Sequence, residues 1–204
     1  MKNQWYADRR DLVKWGTLLH LAAAHDIRSI IQIAFLTPDD VPVRLTSELG
    51  DTALGTALDP RVLHHFRDIS RIAELSGPNG PSICAFTQPF AVRSRHAYIR
   101  AALLAVQAVA ERPVAVLLDP DTGIKERLAT SKHVKDTEVS EFWSVLQPSD
   151  WLVLYQHAAR QCNWLASRRA VFANALAGAP VHTFRALSGA RDVAFFAAMR
   201  DHPA

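Results

Sequence analysis

The feature that most constrains this chain is a repeated change of apolar period. Four short apolar runs read as buried strands: Ser29 to Leu36 (SIIQIAFL), Ile83 to Thr87, Pro113 to Leu118 (PVAVLL) and Trp151 to Gln156 (WLVLYQ). Between them lie stretches of helical period. Asp8 to His25 carries Leu12, Trp15, Leu19 and Ala22 on one side, and Pro60 to Leu75 carries Val62, Leu63, Phe66, Ile69 and Ile72. Arg95 to Glu111, Asp136 to Leu146 and Asn163 to Ala177 complete the helical set. SGPNGP after Leu75 and TPDDVPV after Leu36 are the breaks that such Gly, Pro and Asp clusters produce.

Strands joined through helices form right-handed crossovers, so the expected fold is α/β: a three-layer sandwich around a mainly parallel, Rossmann-like sheet. Val181 to Leu187 and Val193 to Met199 have no helix between them and predict an antiparallel pair at the C-terminal end. No linker or repeat divides residues 1–204, which are expected to form a single α/β domain. A 49% hydrophobic content is enough for its core. The two cysteines, Cys84 and Cys162, stand in no metal-ligand spacing, and Cys84 reads as a small core residue of a strand. Trp143, Trp151 and Trp164 also read as core. No apolar run approaches the roughly 20 residues that span a bilayer, and MKNQWYADRRD is not a secretory leader. A cytoplasmic location without membrane contact is expected.

Ligands of open parallel sheets bind beyond the carboxyl ends of the strands, so those loops hold the candidate site. Thr37, Asp39 and Asp40 follow the first run, and Gln88 and Arg93 the second. Asp119-Pro120-Asp121-Thr122-Gly123 follows the third, and Tyr155-Gln156-His157, then Arg160, close the fourth. Asp119 and Asp121 are the candidate catalytic carboxylates, competing with an ordinary Asp-rich turn. His157 is the candidate proton donor or electrostatic partner, competing with a capping or core role. Strand alternation puts Tyr155 and His157 on one face and Gln156 on the other.

Near the start, Tyr6, Asp8, Asp11 and Lys14 are candidate substrate contacts, and Arg9, Arg10 and Lys14, which oppose the helix dipole, are open to a ligand or phosphate role. Acids at a helix N-terminus that complement its dipole are the simpler account. Lys125, Lys132 and Arg93 are candidate phosphate contacts, within basic loops at 125–135 and 93–100 that include Arg95 and Arg100. The net charge of only +3 would then conceal a basic rim around an acidic centre.

Two resemblances add to this reading. VAVLLDPD resembles the fourth-strand motif of class I methyltransferases, and LQPSDWLVLY resembles the approach to their fifth strand. That family binds S-adenosylmethionine on a glycine-rich turn after its first strand. Here FLTPDDVPV stands in that place, with no glycine before Gly50, so no cofactor is expected. Over most of its length, through YADRRDLVKW, LLDPDTG, Lys132-His133-Val134 and YQHAAR, the chain resembles small bacterial proteins associated with DNA glycosylases of phage defence.

This second resemblance implies excision of a base from DNA. Asp119 or Asp121 would stabilise the sugar cation and His157 would assist the leaving base. Gln156 would read the base and Tyr155 or Tyr6 would stack on it once flipped out. Arg93, Lys125, Lys132 and Arg160 would hold phosphates, and no metal or cofactor is needed. Alternatives are a metal-dependent nuclease built on Asp8, Asp39, Asp119 and Asp121, and a degenerate methyltransferase that only binds nucleic acid.

Overall fold

The computed structural model describes residues 9–37, 62, 69–185 and 190–201. In chain order its elements are α1 (Arg9–Ala24), β1 (Ser29–Ile33), a 3-10 helix (Ile69–Leu75), β2 (Ser82–Phe86) and a 3-10 turn (Val92–Ser94). Then come α2 (Arg95–Gln107), β3 (Val114–Leu118), β4 (Gly123–Lys125), β5 (His133–Lys135), α3 (Asp136–Val145) and β6 (Trp151–His157). The last are α4 (Trp164–Ala175), β7 (His182–Phe184) and β8 (Val193–Met199).

Six strands form one sheet in the order β2-β1-β3-β6-β8-β7. β2, β1, β3 and β6 run parallel, and β8 lies antiparallel to both β6 and β7. This is the expected α/β architecture with its antiparallel closing pair. Successive strand residues point to opposite faces, and both faces are covered. Ile30, Leu117, Val153 and Phe195 pack in one apolar layer with Leu12, Trp15 and Leu18 of α1 and with Ile69 and Ile72. Ile31, Val116, Leu154 and Phe196 pack on the other side with residues of α2, α3 and α4, among them Ile99, Phe142 and Phe172. The neighbours Phe195 and Phe196 are fully buried on opposite faces, and burial of each ring stabilises the fold by about 1.5–3 kcal/mol.

Helix α1 ends where Asp26 enters the left-handed region at φ 50. The Ile27 amide then returns to the Ala22 carbonyl at 3.0 Å, which satisfies one of the last carbonyls of the helix. Among the described residues, no helix is long and apolar enough to cross a membrane.

Three expectations change. Of the predicted Pro60–Leu75 helix, the part from Ile69 is a 3-10 helix and Val62 is helical, while residues 60, 61 and 63–68 lie outside the described residues. Cys84 lies in β2, but its side of the strand is exposed, because the neighbouring Ile83 takes the core-facing position. The basic stretch after Asp121 is not simply a solvated loop: β4 and β5 pair in parallel, with Ile124 opposite Val134. Both of these apolar side chains are buried in the α2–α4 layer, which supplies the free energy for ordering so short a pair.

Candidate functional site

Strand β1 neighbours β2 on one side and β3 on the other. The chain therefore reverses its direction of travel across the sheet between these strands, and it is beyond their carboxyl ends that ligands of open α/β sheets bind. Asp119 is the first residue past β3, and its amide bonds the Ile33 carbonyl at the end of β1 at 3.0 Å. Its side chain lies on the α1 side, two positions after Leu117. Gln32 interrupts the apolar β1 on the same side and is fully buried.

Both strands thus point a polar group at the N-terminal half of α1, which sends Lys14 between them. Lys14 Nζ donates to Asp119 Oδ2 at 2.7 Å, and Gln32 Nε2 donates to the same oxygen at 2.5 Å. One helical turn before Lys14, Asp11 places Oδ1 2.5 Å from Nζ. Asp11, Lys14 and Asp119 are all buried. Burial disfavours the ammonium, but the two carboxylates outweigh it and hold the Lys14 pKa above its ordinary value. With both carboxylates ionised, these three groups carry a net single negative charge where water is largely excluded.

Tyr155 forms the floor beside this cluster. Its ring centroid is 5.8 Å from Lys14 Nζ, and the ring meets Phe195 edge-on at 5.8 Å. His157 lies further along β6 on the same face, 6.2 Å from Tyr155 ring to ring. His157 Nε2 is 3.6 Å from Asp192 Oδ2, and Arg10 donates to that oxygen from Nη2 at 2.7 Å and Nε at 3.0 Å. Partial burial of Asp192 opposes ionisation, yet Arg10 and His157 hold its carboxyl below the usual range.

The structure brings together Asp11, Lys14, Asp119, Tyr155 and His157 of the sequence-predicted set. Asp121 is half-buried two residues beyond Asp119. Tyr6, Asp8, Asp39 and Asp40 lie outside the described residues.

Two assigned roles do not fit the geometry. Tyr155 is buried against Phe195, which leaves it no open face for stacking on a base. The Gln156 amide is committed to backbone: Oε1 accepts from Ile124 N at 2.9 Å, and Nε2 donates to the carbonyls of Thr122 at 3.0 Å and His157 at 2.8 Å. It ties β4 to β6 and does not face the Asp119 cluster.

Arg93 and Arg160 are exposed. Arg95 does not join Arg93 in a surface patch. It is buried, paired through Nε and Nη2 with Glu138, and bonded through Nη2 to the His133 carbonyl at 2.7 Å. Trp143 and Trp151 are buried and Trp164 is half-buried, in keeping with a core role.

Gln32 and Asp192 are the site residues that the sequence reading missed. Gln32 did leave a signal, as the polar side chain in the middle of SIIQIAFL. Asp192 left none, and its partner Arg10 stands far from it in sequence.

Where a glycine-rich cofactor turn would follow β1, Phe35 adopts a left-handed backbone at φ 46. Its fully buried ring packs against Phe90 at 5.4 Å and Tyr98 at 5.3 Å, and Tyr98 Oη accepts from its amide at 2.9 Å. Among the described residues, the start of this turn is filled with aromatic side chains. Lys14 also stands between Asp11 and Asp119, where a divalent cation bridging them would sit. Among the described residues, no group of three or more His, Cys, Asp or Glu is arranged to hold a metal ion.

No family model matches the chain, and neither a curated protein nor a solved structure matches it significantly.

Proposed function

We propose that the protein is a hydrolase of N-glycosidic bonds that excises a base from DNA. One observation carries this reading: a buried carboxylate, Asp119, is clamped through a single oxygen by Lys14 and Gln32 at the carboxyl ends of β1 and β3. Cleavage of the C1′–N bond sends its electron pair to the base and leaves positive charge on the sugar. The net negative charge of Asp11, Lys14 and Asp119 is suited to stabilise that cation electrostatically. A water oxygen then bonds to C1′, and one of its protons leaves to solvent. His157, backed by Asp192, supplies or stabilises the proton on the departing base.

Lys14 is held charged between two carboxylates, so it serves here as a counter-ion and not as an amine nucleophile. Base release therefore leaves an abasic site with the strand intact. The likeness to phage-defence glycosylases supports modified bases of invading DNA as substrates and the cytoplasm as the compartment. A metal-dependent nuclease is the weaker reading, because Lys14 fills the position between the two best-placed carboxylates.

The test is incubation with DNA carrying modified and unmodified bases, followed by alkali and strand analysis. Abasic sites that need alkali for scission, and that are lost in a folded Asp119→Asn variant, support the proposal. Absence of abasic sites on every base tried refutes it. Direct scission that EDTA abolishes points instead to the nuclease.

A further inference from the structure

The β4–β5 pair carries cations that make no salt bridge among the described residues. Ile124 and Val134 face the core, so alternation turns Lys125 and Lys135 to the opposite side of their strands. The two lysines are register partners on adjacent strands, separated by about 4.8 Å of backbone. Like charges placed side by side in a sheet destabilise it. Exposed Lys132 precedes β5, and half-buried Arg168 of α4 lies within electrostatic reach of His133. Among the described residues, Lys125, Lys132, Lys135 and Arg168 make no salt bridge. Neither do the nearest acids in sequence, Glu126 and Asp136.

Among the described residues, other buried or half-buried cations have a partner: Lys14 has two aspartates, Arg95 has Glu138, Arg112 has Asp150 and Arg10 has Asp192, while Arg200 lies over the Trp143 ring. The ribbon is also fixed to the candidate site. β4 begins four residues after Asp119, and Gln156 joins its backbone to β6 one residue before His157.

We propose that the outward face of the β4–β5 ribbon, with Lys132 and Arg168 at its rim, is a docking surface for the phosphodiester backbone of a DNA strand. It rests on the reading of the protein as acting on DNA and names the part that holds the strand beside the Asp119 cluster. Phosphates spaced along a strand match a row of lysines better than a single anion does, and displaced counter-ions supply the affinity.

The experiment is fluorescence anisotropy of the full chain with a labelled DNA duplex over a range of salt concentrations. Each phosphate contact contributes about 0.9 to the slope of log affinity against log salt. Lys125→Ala/Lys135→Ala should therefore lower the slope by about 1.8 and weaken binding at low salt at least tenfold. Arg168→Ala and Lys132→Ala should each lower the slope by about 0.9. Circular dichroism confirms that each variant is folded. Folded variants that keep wild-type affinity and slope overturn the proposal, as does a wild-type chain that binds phosphatidylserine vesicles but not DNA. Lysine-dependent DNA binding without base release leaves this surface standing and removes the glycosylase reading. Base release with binding indifferent to all four cations does the reverse.

Discussion

Lys14 Nζ meets Asp119 Oδ2 at 2.7 Å in a place closed to solvent, with Asp11 on the other side of the ammonium. Removing one member of a buried pair leaves an uncompensated charge, which costs about 3–5 kcal/mol. Lys14→Met should destabilise the fold by that order, read as a lowered urea midpoint at unchanged slope. Lys14→Met/Asp119→Leu should cost less than the two single changes added together, because neither charge is then stranded. The pH dependence has a definite sign. Lys14 has a raised folded pKa, so its stabilisation is complete below its ordinary value of 10.5. It declines only as the pH rises through the higher folded value.

Phe35 and Tyr98 form a second buried junction, at the end of β1. A non-glycine residue at φ 46 is uncommon, and here its amide donates to the Tyr98 hydroxyl while its ring is enclosed by Phe90 and Tyr98. Tyr98→Phe keeps the ring packing and removes the acceptor. The expected cost is about 1–3 kcal/mol, that of a buried donor left unmade. Chemical denaturation measures it. A change of only a few tenths would mean that another acceptor replaces the hydroxyl.

Much of this architecture was legible in the sequence, because burial on both faces makes a parallel strand nearly continuous in apolar residues. PVAVLL and WLVLYQ are such strands, with Asp119 just past the end of one and His157 at the end of the other. The β4–β5 pair was not legible: each strand has one buried apolar residue, Ile124 or Val134, set among charges, and so short a pattern has no period. Gln156 was misread for a related reason. Alternation put it on the face away from Tyr155, as observed, but its backbone partners at Thr122 and Ile124 arise only once β4 folds against β6. The Arg10–Asp192 contact joins residues 182 positions apart and follows from topology alone.

His133 reports on the charge of the ribbon. Burial, and then Lys125, Arg168, Arg95 and Lys132, hold its pKa below the ordinary 6.5. The folded state therefore binds fewer protons than the unfolded chain just below pH 6.5. Stability from this group is full above 6.5 and falls as the pH drops toward the folded value. An NMR titration of the imidazole should give a midpoint below 6.5 that rises in Lys125→Ala. Bound DNA should raise it too, since phosphates offset the surrounding cations. A midpoint unmoved by DNA would place the strand elsewhere.

Gly123 is the hinge on which the ribbon leaves the Asp119 turn. Its φ of 118 lies where side chains are strained, and a Cβ there would come within 2.2 Å of Gln156 Oε1. Gln156 cannot simply swing away, because its amide makes three backbone hydrogen bonds. Gly123→Ala should therefore cost about 1–3 kcal/mol through backbone strain alone, with the displaced Gln156 adding to it. Gln156→Ala should cost about 1–3 kcal/mol for each buried backbone group that finds no new partner. Hydrogen exchange separates a local from a global effect. Amides of β4 and β5 should lose protection in Gln156→Ala while those of β3 keep theirs. Equal loss in β3 would show that the ribbon and the central sheet open as one unit.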